Sequence, residues 1–311
     1  MKPRVSVIVA ARDAGDTLEA TLASIRAQTF TDWEVVLVDD GSNDGTGEIA
    51  RTAIDRMRVV RHEVAQGPGA SRNRAVREAR GELVAILDAD DVWYPSYLES
   101  QLAAYDQAIV EGRRVGAVCC DADLLGPDGP TGTRWSQRVG GAQAADITTM
   151  LHENVVFTSV LCPRSVFQEL GGYEEDERIH LEDYDLWLRM IERGWEIVMN
   201  HETLAVYRLG AAARSSKVER MATGGSMIMT RALERGALTA AQRRLARKRR
   251  RMYEVVRRRA KIAAEPGPVR RAVAMARAAP AIVLSVLEHP ERWGHWLREG
   301  PRSAGERRHA G

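Results

Sequence analysis

The stretch Trp33-Glu-Val-Val-Leu-Val-Asp-Asp-Gly-Ser-Asn-Asp-Gly45 decides how this chain folds. Its first half is a short apolar run rich in β-branched residues, the pattern of a strand buried on both faces of a parallel sheet. Its second half is turn chemistry that closes the strand abruptly. The same pattern recurs on either side. Val5-Ser-Val-Ile-Val-Ala10 reads as another buried strand, and the helix after it places Leu18, Leu22 and Ile25 on one face, with Asp16 and Glu19 in capping-box spacing. A short helix runs to about Ile54, and Arg58 to Arg61 reads as a strand. Gly69 to Arg80 reads as a helix stopped at Gly81, and Leu83 to Leu87 as a strand. Pro95 opens a helix with Leu98, Leu102, Tyr105 and Ile109 facing inward, ending at Gly112, and Val115 to Cys119 forms the next strand. This alternation predicts an α/β fold with a parallel-dominated sheet and flanking helices, where ligands sit at the carboxyl ends of the strands.

Working outward, residues 121–145 are rich in Gly, Pro and Asp and read as loop. Val155 to Leu161 reads as a strand, Pro163 to Leu170 as a short helix, and Glu182 to Arg193 as a helix stopped by Gly194. Trp195 to Met199 and Thr203 to Arg208 look like edge strands. Beyond Ser216 the pattern is helical and basic. The charge divides at the same place: residues 1–216 hold 22 Lys and Arg against 35 Asp and Glu, a net of −13, and residues 217–311 hold 23 against 8, a net of +15. The formal total of +2 conceals two unlike parts. A length of 311 residues suits one large or two modest domains. No apolar run approaches the ~20 residues of a membrane-spanning helix. Cys119, Cys120 and Cys162 form neither a CxxC pair nor a disulfide framework. Together with a start that lacks a signal-peptide pattern, this predicts a cytoplasmic setting.

Three acidic clusters fall at a strand end or a helix start. Asp88 and Asp90, two apart in extended chain, project to one side and suit a hard cation such as Mg²⁺ or Mn²⁺, with Asp91 adding a third carboxylate. A turn that uses Asp as a cap explains the same pattern. Asp39 and Asp40 end a strand pointing to opposite sides, so that one can face a ligand while the other pins the turn. Glu182 and Asp183 open a helix, where a carboxylate is stabilised by the free amides or serves as a general base.

Taken together these motifs resemble the family 2 glycosyltransferases of the GT-A, Rossmann-like fold. The match runs in order through Val5-Ser-Val-Ile-Val, Val36-Leu-Val-Asp-Asp-Gly-Ser-Asn-Asp-Gly-Thr46, Ala70-Ser-Arg-Asn73 with Gly81-Glu82, Leu87-Asp-Ala-Asp-Asp91, Gly171-Gly-Tyr173, Glu182-Asp-Tyr-Asp-Leu-Trp-Leu-Arg189 and Tyr207-Arg208. The resemblance implies a domain over residues 1–216, with a nucleotide-sugar half at about 1–120 and an acceptor half at about 121–216. It implies donor contacts from Asp39, Asp40, Arg72 and Asp88, with Asp88 and Asp90 at a divalent metal. It makes Asp183 the catalytic base, with Glu182, Asp91 and Trp187 shaping or supporting the acceptor pocket. One base and one metal imply inverting single displacement from a UDP- or dTDP-linked sugar to a glycan, lipid-linked or small-molecule acceptor. Many members carry a His two residues after the Tyr-Arg pair; here Gly210 stands there, and Arg214 follows.

The remaining residues, 217–311, are expected to form a basic helical extension. Arg243 to Lys261 holds eleven Lys and Arg with Leu245, Met252, Val256 and Ile262 near helical spacing. After Pro266-Gly-Pro268 come Val273 to Leu287, then Trp293 and Trp296. Such a segment either packs its basic face on the acidic domain or lies on an anionic membrane surface, with nucleic acid the less favoured partner. Two other readings compete: a catalytically weak nucleotide-binding scaffold that docks through its tail, and a nucleotidyltransferase, for which no Gly-rich, Lys/Arg-containing loop follows the first strand.

Overall fold

The computed structural model describes residues 2–54, 57–176, 178–209 and 215–265, and the single positions 267, 270, 275 and 279. Gly210, Arg214 and the apolar and Trp-bearing stretches after residue 280 lie outside them. The N-terminal half alternates as expected: β1 (Val5–Ala11), α1 (Leu18–Arg26), β2 (Trp33–Asp39), α2 (Thr46–Ala53), β3 (Met57–Arg61), α3 (Pro68–Glu78), β4 (Leu83–Asp88), the two-residue β5 (Val92–Trp93) and α4 (Tyr97–Val110). Next come β6 (Val115–Gly126), β7 (Gly129–Arg134), α5 (Trp135–Arg138), α6 (Ile147–His152), β8 (Val160–Pro163), α7 (Arg164–Glu169), α8 (Glu182–Glu192) and β9 (Glu196–Arg208). Two long helices follow, α9 (Ser215–Arg235) and α10 (Ala240–Ala264).

Among the described residues the nine strands form one sheet in the order β3-β2-β1-β4-β8-β6-β9-β5, with β7 paired to β6. The first four are mutually parallel. Antiparallel β8 joins them to the parallel pair β6 and β9. This is the GT-A fold. Continuous apolar strands are buried on both faces, and the core forms two clusters, one on each side of the sheet.

Several local readings are corrected. The stretch read as loop begins with the outer half of β6 and a hairpin into β7, turning through Pro127 and Asp128. Asp121 is tolerated in the buried strand because its carboxylate accepts from the Ser136 amide and hydroxyl. Only Val160 to Leu161 of the strand expected at 155–161 pairs in the sheet; Val155 to Phe157 are buried in irregular chain. The two expected edge strands are one strand, β9, with a register shift. Ile109 is 46% exposed, because Gln101 and Ala108 take the inward positions of α4. Thr17, not Asp16, is the N-cap residue of α1.

The division expected at 216/217 falls at the start of α9. The apolar faces of α9 and α10 nevertheless join the core: Ile228, Met229, Ala232, Leu238 and Ala246 share one cluster with β4, α6 and α8. Gly225 lets the pair approach closely, since a Cβ there would lie 2.5 Å from the Tyr253 ring.

Candidate active site

The chain winds outward from β1 to β2 and β3, then returns to place β4 on the other side of β1. A crevice forms at such a switch point. Here it is a cavity of about 450 Å³ at the carboxyl ends of β1 and β4, lined among others by Arg12, Asp13, Arg72, Asp88, Asp90 and Arg208.

Asp39 and Asp40 end β2 beside it, and both are buried. Asp39 accepts from the Ser42 amide through Oδ1 and pairs with Arg61 through Oδ2. Asp40 accepts from the Gln66 and Gly67 amides, each at 2.9 Å, and lies 2.8 Å from Nδ1 of His62. Burial opposes its charge, but these bonds outweigh burial and hold its carboxyl below the ordinary value. In this state one carboxylate closes the turn and the other fixes the loop from His62 to Gly67.

Asp88 and Asp90 both face the cavity, but not through extended alternation: β4 ends at Asp88, and a turn closed by the Asp91 amide on the Asp88 carbonyl at 3.1 Å carries Asp90. Burial, then the charge of Asp88, raises the Asp90 carboxyl. Asp91 points inward and is fully buried: Oδ1 accepts from the Arg208 amide at 2.9 Å, while Oδ2 has no hydrogen-bond partner. Burial, then Asp88 and Asp90, lifts Asp91 well above the usual range. The Arg208 side chain reaches back to the Asp90 carbonyl at 3.1 Å.

Arg72 joins this cluster to the helix start of α8. Its side chain is 11% exposed, and it donates to Asp88 at 2.6 Å and to Glu182 at 2.5 Å, with the guanidinium 5.4 Å from the Tyr173 ring centroid. Neighbouring Asp183 accepts from the Tyr184 amide at 2.7 Å, and its Oδ2 lies 3.5 Å from Nδ2 of Asn154. Crowding by protein atoms, then the charge of Glu182, pushes Asp183 up to about 7. Trp187, one turn further along α8, is 1% exposed, its ring 6.4 Å from that of Tyr173. It supports the helix from within and does not line the cavity.

Sequence reasoning passed over the residues that hold this geometry. Asn73, one turn into α3, donates to the Tyr173 carbonyl and accepts from the Tyr173 amide, both at 2.8 Å. Arg189 reaches the Leu170 and Gly172 carbonyls at 2.5 and 2.6 Å and is braced by Asp185. The Gly171-Gly-Tyr173 turn is therefore clamped from two helices, one bearing Arg72 and the other Asp183. Asn154, in irregular chain, carried no local signal. The rings of Trp135, Phe157 and Tyr207 form a contiguous cluster with centroids 5.5–6.0 Å apart.

Residues 6–171 match the model of the family described as Glycosyl transferase family 2. The chain is 31% identical over 212 residues to TuaG of Bacillus subtilis (strain 168), named as a teichuronic acid biosynthesis glycosyltransferase; the match covers 67% of this chain and 80% of that protein. It is 34% identical over 100 residues to the UDP-Glc:alpha-D-GlcNAc-diphosphoundecaprenol beta-1,3-glucosyltransferase WfgD of Escherichia coli, covering 32% and 40%. Among solved structures, the mannosyltransferase PcManGT from Pyrobaculum calidifontis, in complex with GDP-Man and Mn²⁺, superposes with a TM-score of 0.64 at 20% identity, covering 96% of this chain and 89% of that one.

Proposed function

Since this chain belongs to glycosyl transferase family 2, we propose that it moves a sugar, with inversion, from a UDP- or dTDP-linked donor to an acceptor hydroxyl in glycan, cell-surface polysaccharide or glycosylated-metabolite synthesis. One observation carries the reading: Arg72 bridges Asp88 and Glu182, drawing the donor carboxylates and Asp183 into a single cluster. In this reading Asp183 takes the proton of the acceptor hydroxyl as that oxygen attacks the anomeric carbon. The bond from that carbon to the diphosphate breaks on the opposite face, and its electron pair leaves with the nucleoside diphosphate. A carboxyl near 7 suits a base working at neutral pH, since it is partly ionised yet basic enough to take the proton.

Asp40 and Asp39 shape the base and ribose side, and Asp88 the ribose. The carboxylates fit a hard divalent cation. The Asp91 Oδ2 is buried without a hydrogen-bond partner, and burial, then the charge of Asp88, raises the Asp90 carboxyl, so a cation placed here would favour the ionised cluster. A hard ion of this kind usually shares its shell with phosphate oxygens and takes only one or two carboxylates from the protein. Asp90 and Asp88 would hold Mg²⁺ or Mn²⁺. Such an ion, when bound, offsets the charge that develops on the leaving diphosphate. The Mn²⁺ in the complex of PcManGT supports this assignment.

The name of WfgD supports a lipid-linked acceptor and that of TuaG a polysaccharide product. We assign catalysis to residues 1–216 and an accessory role to 217–311. Among the described residues no helix is long and apolar enough to cross a membrane, and peripheral attachment at the inner face is the setting we propose. A panel of nucleotide sugars with Mg²⁺ or Mn²⁺, read by nucleotide release, tests the reading. A UDP or dTDP sugar should turn over, with at least tenfold loss in excess chelator. Undiminished turnover in chelator removes the metal, and turnover of no nucleotide sugar removes the enzyme.

A further inference from the structure

The segment of α10 is expected either to pack its basic face on the acidic domain or to lie on an anionic membrane surface by its apolar face. That face is already occupied. Ala246, Met252, Val255, Ala260 and Ile262 are buried within the fold, and Leu245 and Val256 are half-buried. The buried Arg249 donates to Glu153 at 2.9 Å, and α10 exposes no large apolar side chain. What remains outside is charge. Arg244, Arg247, Arg251, Arg258 and Lys261 are all exposed, at spacings that keep them on one stripe of the helix. The stripe is roughly 25 Å long at 1.5 Å per residue. It is interrupted by Glu254, which lies 3.7 Å from Arg250, and it is flanked at its end by Glu219, 3.3 Å from Lys261.

We infer that α10 docks the protein on an anionic bilayer surface by charge alone, without inserting. The stripe is convex and lies on a single helix. It lacks the charged groove and stacking rings that hold a single-stranded nucleic acid, and its charges suit an array of headgroup phosphates. No aromatic side chain is exposed on α10. The other face of the same helix gives the docking a use. Arg249 holds Glu153, the residue before Asn154, whose amide faces Asp183. A bilayer against the stripe thus lies about one helix diameter, ~10 Å, from the chain segment beside the proposed base. That purpose rests on the reading of a lipid-linked acceptor; the docking itself does not.

The full-length chain is tested by flotation with phosphatidylcholine vesicles containing or lacking 30% phosphatidylglycerol, at roughly 0.05 and 0.5 M salt. Binding is expected only to the anionic vesicles and only at low salt. The triple variant R244Q/R247Q/R258Q should bind about a hundredfold more weakly, as each cation near an anionic surface contributes about fivefold. Its melting temperature and its nucleotide-sugar turnover should match those of the parent, which separates lost docking from lost folding. Failure to float at low salt overturns the inference, as does binding that survives 0.5 M salt or is unchanged in the variant. Displacement from the vesicles by an equal charge of polyuridylate at low concentration assigns the stripe to nucleic acid instead. Turnover is read separately, so vesicle binding without activity would overturn the enzyme reading and leave the docking intact.

Discussion

Replacing Asp183 by Asn should strengthen the fold while abolishing transfer, and the gain should depend on pH. Folding raises this carboxyl from the 3.8 of an ordinary aspartate to about 7, chiefly through burial and then through Glu182. At a worth of about 1.4 kcal/mol per pKa step, the ionised carboxylate weakens the fold by about 4 kcal/mol at pH 8. Partial exposure of the side chain trims this to roughly 2–4 kcal/mol. The sign follows from proton counting. Between pH 4 and pH 7 the folded protein keeps a proton that the unfolded chain has released. The stabilising contribution is therefore complete below about pH 4 and is lost as pH rises through 7. An Asn side chain has no such dependence, and the other raised carboxyls, Asp90, Asp91 and Glu192, are common to both proteins. Urea melts of the two proteins at pH 5 and pH 8 measure the difference. The advantage of the variant should widen by about 2 kcal/mol over that interval, with nucleotide binding nearly intact. A gap that stays constant refutes the raised carboxyl, and equal loss of nucleotide binding moves Asp183 to the donor side.

Arg72→Gln removes the charge that opposes the rise of Asp183, so the rising limb of kcat against pH should move upward by about half a pH unit or more. An unmoved limb in a folded variant would mean that the bridge has no bearing on the base. Gly172→Ala meets two obstacles: a φ of 72°, and an added Cβ 2.4 Å from the Asn73 side-chain oxygen. It should cost about 2 kcal/mol or more, seen as a clear fall in Tm, and an unchanged Tm would contradict the clamp on the Gly171-Gly-Tyr173 turn.

The N-terminal sheet was legible because β1, β2 and β4 are runs whose residues all need burial, so no choice of face was required. The hairpin of β6 and β7 was hidden. Its inward carboxylate, Asp121, is satisfied by Ser136 fifteen residues away, and no local pattern announces such a partner. The inward phase of α4 was legible in its first turns and lost by Ile109, where the helix leaves the core. The carboxylates at strand ends were visible as motifs, but the bridge between them was not. Arg72 and Glu182 stand 110 residues apart, and only the folded chain brings them within 2.5 Å. The amphipathic reading of α10 found the right helix. It left open which surface the apolar side would meet, because periodicity identifies a face and never its neighbour.

The joining of α9 and α10 to the core bears on how this chain can be cut and recombined. A shortened version ending at Ser216 would strand Glu192 and Glu153 without Arg235 and Arg249, and would wet Met150 and Leu151, which are now fully dry. Residues 1–216 are not a self-sufficient cassette. A hybrid enzyme that borrows its donor and acceptor loops would have to import the helical pair with them, and a partner fused to the C-terminus would need to start beyond residue 265.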